Sequence, residues 1–246
     1  MNIITSKANN VVKKAKKLHH KKHRKDSYLI EGWHLFEEAV SSGAELIRIF
    51  ALAEYAERLA DFSQVIFVSP EILADLADSK TPQGIVAEVA FEREEIPSEL
   101  SGRYLFLEDV QDPGNVGTII RTADAAGFDG VFISSASADI YNLKTLRSMQ
   151  GSHFHLPVYR IDTADFIRLA RSSSLPILAS TLSSTSIDYR EVVSKESFVL
   201  VMGNEGQGIS PEMTTAADVL VHISMKGQAE SLNVAVAAGI LIFHLS

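Results

Sequence analysis

Short apolar runs alternate with amphipathic stretches along most of this chain. Tyr28–Ile30, Leu46–Phe50, Val65–Val68 and Gly84–Val89 read as strands, and between them Trp33–Val40, Glu54–Ala60 and Pro70–Ala77 repeat apolar residues at helical spacing. Ser69 before Pro70 is a helix start, because proline's fixed φ suits a first turn that needs no N–H donor. The pattern resumes with strands expected at Tyr104–Leu107, Gly130–Ile133, Ile177–Ala179, Phe198–Met202 and Val219–Ile223. Apolar runs this short, separated by helices, predict an α/β fold with a mainly parallel sheet covered on both faces. The helix after Asn115 sets Val116, Ile119, Ile120, Ala123 and Ala126 on one face and stops at Gly127. Ser210-Pro211 opens another helix. A last one, from about Ser231, is apolar almost all round, which predicts burial. The charged segment Phe91–Gly102, with Pro97 and Gly102, reads as a boundary. It places a linker at 96–102 between a first domain at 1–95 and a second at 103–246.

Charge changes this picture at one end only. The 246 residues carry a net charge of −8, which argues against a polyanionic partner until its distribution is seen. Residues 1–25 hold nine Lys or Arg and no acid, leaving 14 basic against 31 acidic side chains elsewhere. A cationic arm on an acidic body predicts a nucleic-acid-facing segment, with Lys13, Lys14, Lys17, Lys21, Lys22, Arg24 and Lys25 as phosphate contacts. The bland reading of that arm is a solvated helix. The chain has no cysteine, which excludes disulfides and thiolate metal sites and fits a reducing cytoplasm. Its start lacks the apolar region of a secretory signal. The longest apolar stretch, Leu232–Leu245, is broken by Asn233 and His244 and falls short of the ~20 residues that cross a bilayer. A soluble, cytoplasmic protein without membrane contact is expected.

Three segments place small or polar residues at turns beside apolar elements. Gly203-Asn-Glu-Gly-Gln-Gly208 follows a strand, where open α/β sheets bind ligands, yet it contains neither a P-loop nor a dinucleotide fingerprint. An ordinary glycine turn is the alternative. In Asn115-Val-Gly-Thr-Ile-Ile-Arg121, Asn115 suits a helix cap as well as a site, and Arg121 suits a solvated helix face as well as a cleft. In Glu230-Ser-Leu-Asn-Val-Ala-Val-Ala237, Ser231 is a possible N-cap. Asn233 must find backbone or ligand partners, or it costs ~1–3 kcal/mol.

Taken together and in this order, the three segments resemble the motifs of the SpoU (TrmH-like) family of RNA ribose methyltransferases. Arg147–Pro157, Glu31-Gly32 after Tyr28–Ile30, and Thr81-Pro-Gln-Gly-Ile85 agree with that family as well, so the resemblance covers nearly the whole chain. One departure is visible. Ser224 lies between Ile223 and Met225, where the family usually has proline, and tuned affinity rather than lost activity is expected from it.

The resemblance implies a C-terminal sheet tied in a trefoil knot, with a smaller N-terminal α/β RNA-binding domain like ribosomal protein L30e. The knot would form an S-adenosylmethionine pocket from Thr181, Leu182, Met202, Gly203, Gly208, Ile223, Met225 and Leu232. Asn115, Arg121, Glu205, Ser231 and Asn233 would be the catalytic set, in a homodimer and without a metal. Arginine is permanently protonated, so Arg121 is expected to hold a substrate phosphate and steady the forming alkoxide rather than act as a base. The resemblance favours 2′-O-methylation of 23S ribosomal RNA. Transfer RNA, and a non-catalytic RNA-binding or ribosome-assembly role, remain the alternatives. His153 and His155 are expected to be structural.

Overall fold

A computed structural model describes residues 2–92 and 95–246. Met1 of the expected first domain, and Arg93 and Glu94 in the expected boundary segment, lie outside the described residues. In chain order the helices are α1 (Asn10–Lys17), α2 (Trp33–Ser41), α3 (Pro70–Leu76), α4 (Pro113–Ala125), α5 (Leu143–Met149), α6 (Thr163–Ser172), α7 (Pro211–Ala216) and α8 (Val234–Leu245). The strands are β1 (Ser27–Glu31), β2 (Leu46–Ala51), β3 (Val65–Phe67), β4 (Ile85–Ala90), β5 (Arg103–Leu107), β6 (Gly130–Ile133), β7 (Val158–Arg160), β8 (Ile177–Ser180), β9 (Ile187–Asp188), β10 (Phe198–Met202) and β11 (Val219–His222).

The chain divides into two compact units, and their membership is discontinuous: Met1–Arg93 with Asp139–Phe154, and Glu94–Ala138 with His155–Ser246. The sequence places 139–154 in the second domain. Side chains place it in the first unit. Arg24 pairs with Asp139, Arg147 donates to Asp78 at 2.7 Å, and Tyr28, Phe91 and Tyr141 pack ring against ring at centroid distances of 4.5–5.2 Å.

In the first unit the strand order is β1-β4-β2-β3, antiparallel except for the β2–β3 pair. β1 is buried along its whole length, so its polar ends need partners. Ser27 donates to Glu88 at 2.7 Å, and Glu31 accepts from the N–H groups of Asp78 and Ser79. The cationic arm is ordered. Asn9 caps α1 by accepting from Val11 N at 2.8 Å, and Val12 and Ala15 face inward toward α3. Lys16 holds Asp75 at 2.6 Å, and a ring nitrogen of His19 lies 2.9 Å from Leu76 O. The helix expected at Glu54–Ala60 is instead a 3-10 turn at Ala53–Tyr55 followed by further turns. Leu59 is its one fully buried side chain, too little to hold a short helix together.

In the second unit seven strands pair in the order β7-β6-β5-β10-β8-β11-β9, and every pairing is parallel. Phe106 stacks on Phe166 at 4.2 Å, and Phe132 packs on the same ring at 5.1 Å. Each of the three is fully buried and contributes roughly 1.5–3 kcal/mol of hydrophobic stabilisation. α4 buries Val116, Ile119, Ile120 and Ala123 as its periodicity predicts. The expectation of full burial fails for α8. Ala238, Leu241, Ile242 and Leu245 face inward, but Val236 and Phe243 are 52% and 59% exposed. Among the described residues no helix is long and apolar enough to cross a membrane.

Candidate functional site

The order of the parallel sheet locates the site. The chain runs from β5 outward through β6 to β7, and later inserts β10 between β5 and β8. At such a reversal the loops leaving neighbouring strand ends diverge and open a crevice beyond their carboxyl ends. The crevice here is a cavity of about 680 Å³. Its walls come from the ends of β8 (Thr181, Leu182), β10 (Met202 to Glu205, Gly208) and β11 (His222 to Met225), and from the approach to α8 (Glu230 to Val234).

All eight residues expected to hold a cofactor line this one cavity: Thr181, Leu182, Met202, Gly203, Gly208, Ile223, Met225 and Leu232. Glu205, Ser231 and Asn233 line it too, whereas Asn115 and Arg121 do not. Sequence reasoning missed Asn204 and His222, which also line it. The volume suits a ligand of nucleoside size, and the methionine, leucine and isoleucine walls supply the apolar contact that such a ligand needs. Two glycines are dictated by geometry. A Cβ on Gly203 would stand 2.3 Å from the backbone carbon of Gly208, and Gly208 itself has φ +70°. The loop between them closes through mutual backbone hydrogen bonds of Asn204 and Gly208, both 2.9 Å.

Beside the cavity, three polar side chains form a directed relay. Glu205 accepts from Gln111 N and Asp112 N at 3.2 Å and from Asn115 Nδ2 at 3.1 Å. Asn233 Nδ2 donates to Asn115 Oδ1 at 3.1 Å, and Asn233 Oδ1 accepts from Ala235 N at 2.9 Å and Val236 N at 3.4 Å. Direction follows from chemistry, because an ionised carboxylate can only accept. The Asn115 amide must therefore turn its NH2 to Glu205 and its oxygen to Asn233. That leaves the Asn233 oxygen for the first N–H groups of α8. Burial pushes the Glu205 carboxyl upward, but hydrogen bonds from Asn115, Gln111 and Asp112 outweigh it and hold its pKa below the ordinary glutamate value.

Neither Asn115 nor Ser231 takes the capping role that was the alternative to a place in the site. The cap of α4 is Asp112, which accepts from Asn115 N at 3.0 Å, so the Asn115 side chain is free for the relay. The cap of α8 is Asn233; Ser231 lies two residues before it, exposed on the cavity wall. Arg121 is exposed on α4 and, among the described residues, makes no hydrogen bond or ion pair. It is not part of the relay. Ser224 lies 3.3 Å through its hydroxyl from His222 Nε2, and His222 Nδ1 lies 3.0 Å from Ser186 Oγ.

Among the arm residues, Lys13, Lys14, Lys17, Lys21, Lys22 and Lys25 are exposed. Arg24 departs from the expectation. Its side chain is 4% exposed and serves the ion pair with Asp139, so it holds the fold rather than facing a ligand. His153 lies 2.9 Å from the Tyr28 hydroxyl, and His155 lies 3.5 Å from Asp124.

Comparison with known proteins gives these features relatives. Residues 102–243 match the model of the SpoU rRNA Methylase family, and residues 9–87 match an MRM3-like substrate binding domain. The chain is 40% identical over 249 residues to the 23S rRNA (guanosine(2553)-2'-O)-methyltransferase RlmP of Bacillus subtilis (strain 168), covering 100% of this chain and 99% of that protein. The AdoMet-bound rRNA methyltransferase from Sinorhizobium meliloti superposes with a TM-score of 0.89 at 33% identity, over 99% of this chain and 97% of its own. The SpoU methyltransferase AviRb from Streptomyces viridochromogenes, in complex with AdoMet, superposes with a TM-score of 0.83 at 27% identity, over 96% of this chain and 97% of its own. With a family model spanning more than half its length and a full-length relative at this identity, the chain belongs to the SpoU rRNA methylase family.

Proposed function

We propose that this protein is an S-adenosylmethionine-dependent methyltransferase acting on a ribose 2′-hydroxyl of structured RNA, with 23S ribosomal RNA as the favoured substrate. The observation that carries this reading is convergence. Residues from four separate stretches of sequence, named as cofactor contacts by their motifs, line one cavity, and the Glu205–Asn115–Asn233 relay adjoins it. The RlmP relative, methylating 23S ribosomal RNA by its name, and the two AdoMet-bound neighbours support the same reading.

When bound, S-adenosylmethionine supplies a methyl group on a sulfonium sulfur, ready for an oxygen nucleophile. The hydroxyl's weakness as a nucleophile is the remaining problem. Arg121, an exposed cation without an internal partner among the described residues, serves as the phosphate anchor and steadies the alkoxide oxygen as its proton leaves to that phosphate or to water. Glu205 fixes Asn115, and Asn115 with Asn233 presents oriented amide groups beside the cavity. Ser231, exposed on the cavity wall, completes the set. Proton and methyl balance without a metal.

Exposed lysines from Lys13 to Lys25 supply the salt-dependent attraction to RNA phosphates. A homodimer is favoured by the outer face of α8. There Val236, Gly239, Ile240 and Phe243 follow the spacing of a single helical stripe, and the two largest exposures are 52% and 59%. The insertion of β10 between β5 and β8, and the late return of α8 against α4, support a knotted arrangement of the C-terminal chain.

The test is transfer of labelled methyl from S-adenosylmethionine to total RNA from cells lacking the protein, with nuclease mapping of the product. Label in one 2′-O-methylated nucleotide is expected, and Arg121→Ala should abolish it while leaving cofactor binding intact. Absence of cofactor binding by calorimetry would leave only the RNA-binding role.

A further inference from the structure

The strand leading into the relay ends in an unusual bend. After β5, Asp109 adopts φ 58°, a left-handed conformation that side chains other than glycine rarely take and that persists only where surroundings hold it. Two buried serines hold it. Ser134 Oγ accepts from Asp109 N at 2.8 Å and donates to Asp109 Oδ1 at 2.6 Å. Ser137 Oγ accepts from Val110 N at 3.1 Å and donates to Leu107 O at 3.0 Å. Arg160 fixes the loop that carries these serines, donating to the carbonyls of Ser134 at 2.8 Å, Ser135 at 3.1 Å and Ala138 at 3.2 Å.

The bend aims the Asp109 carbonyl at one side chain. Asn204 Nδ2 donates to it at 2.8 Å, while Asn204 Oδ1 accepts from Gly206 N at 2.9 Å and Gln207 N at 3.0 Å. One amide thus ties the left-handed bend to the loop whose next residue is Glu205. A carbonyl can only accept and those N–H groups can only donate, so both ends of the Asn204 amide are required in this orientation.

We infer that Asn204 is a positioning residue for methyl transfer. It sets the Glu205 carboxylate against Gln111, Asp112 and Asn115, and the bend held by Ser134 and Ser137 is the fixed point from which it does so. This inference rests on the reading that the Glu205–Asn115–Asn233 relay serves catalysis.

Asn204→Asp tests it, because the substitution keeps the oxygen that accepts from Gly206 and Gln207 but turns a second oxygen toward the Asp109 carbonyl. The full-length protein is assayed for kcat and for KM toward RNA, with cofactor affinity measured by calorimetry. We expect kcat to fall about 30-fold or more while cofactor affinity stays within roughly threefold, since an oriented network is lost but the cavity walls remain. Acidification should partly restore kcat in Asn204→Asp relative to the unaltered protein, because a protonated carboxyl regains a donor. Asn204→Ser, which can still cap the loop but cannot reach Asp109, should show the same fall without recovery in acid.

Unchanged kcat in both variants overturns the inference. So does a parallel loss of cofactor affinity, which would make Asn204 a cofactor contact rather than a positioning residue. Glu205→Gln separates the two levels. If Glu205→Gln keeps full kcat, the relay reading itself fails and takes this inference with it. If Glu205→Gln is impaired and the Asn204 variants are not, only the positioning role of Asn204 is lost.

Discussion

The lysine-rich arm and the polar relay both present hydrophilic side chains, and they do so in opposite ways. In the arm, Lys13, Lys14, Lys17, Lys21, Lys22 and Lys25 project from a short helix and a turn, and none is held in an ion pair among the described residues. In the relay, hydrogen bonds run from Glu205 through Asn115 and Asn233 to the N-terminus of α8, with the direction set by one carboxylate. The arm acts through the number of its charges, so each is replaceable and all are weakened by salt. The relay acts through orientation, so one reversed group disturbs the rest. The first attracts RNA without choosing a geometry; the second supplies geometry without attracting anything from a distance.

The sharpest way to break this contrast is to reverse the relay at its centre. In Asn115→Asp two carboxylates would face each other where an amide now mediates, and one must take up a proton or turn away. We expect kcat to fall on the order of 10²-fold, the scale on which removing an oriented polar group impairs catalysis. Affinity for RNA should be unchanged, and moderate salt should rescue nothing. If the variant instead loses RNA affinity in a salt-dependent way, relay and arm are not separable in the manner proposed.

The next largest effect belongs to the cavity loop. Gly203→Ala places a Cβ 2.3 Å from the Gly208 backbone carbon, and backbone cannot rotate aside as a long side chain can. The loop must open, and calorimetry should show cofactor affinity lower by at least about tenfold, equivalent to about 1.4 kcal/mol. RNA binding measured without cofactor should not change. An alanine variant with unaltered cofactor affinity would mean that the Asn204–Gly208 closure does not shape the pocket.

How much of this was legible in the sequence depends on how local its cause is. Strands holding a run of three or more apolar residues were readable from the pattern, as was the inward face of α4. β7 and β9 were not, because Val158-Tyr159 before Arg160 and Ile187 before Asp188 leave no run of three apolar residues to detect. The placement of 139–154 in the first unit depends on Arg24, Tyr28 and Glu31 finding partners more than a hundred residues away, which no local pattern records. The same holds for Arg24, whose charge read as a ligand contact and whose burial makes it a strut. The eight cavity residues were legible only through the family resemblance, since Leu182, Met202, Ile223, Met225 and Leu232 have no local signature of their own and only Gly203 and Gly208 mark a turn. Asn204 was not: its importance lies in the direction of its amide and in the φ of Asp109, which only coordinates give. α8 shows the limit of composition, since an almost wholly apolar helix reads as buried whether the cover is its own core or something outside the chain.

Removing charges from the arm should give smaller, graded effects. Replacing Lys13, Lys17, Lys21 and Lys22 by alanine should shallow the dependence of log affinity on log salt by about 0.7–0.9 for each RNA phosphate no longer neutralised. With RNA saturating, kcat should be that of the unaltered protein. A quadruple variant with an unchanged salt slope would show that the lysines face solvent only, the bland reading of the arm.

The smallest effect expected is also the most specific to the arm. Partial desolvation, and then the positive charges of Lys22, Lys17, His20 and Lys25, hold the His23 imidazole below its usual pKa. The free protein therefore resists protonating His23, and the neutral form is retained to lower pH than in an isolated histidine. RNA phosphates laid on these lysines would cancel the positive field and raise the His23 pKa. A group whose pKa rises on binding takes up a proton as the complex forms, so affinity must increase as pH falls through the interval between the two values. Between about pH 8 and pH 6 we expect RNA affinity to strengthen by less than about tenfold per pH unit, because one imidazole can take up no more than one proton. His23→Gln should flatten that slope while leaving the salt dependence nearly intact, since it removes the titrating group and keeps the lysines. Isotherms collected at several pH values and constant ionic strength decide the matter. A slope that persists in His23→Gln would place the titrating group elsewhere, and a slope of opposite sign would mean that RNA does not lie on this face of the arm.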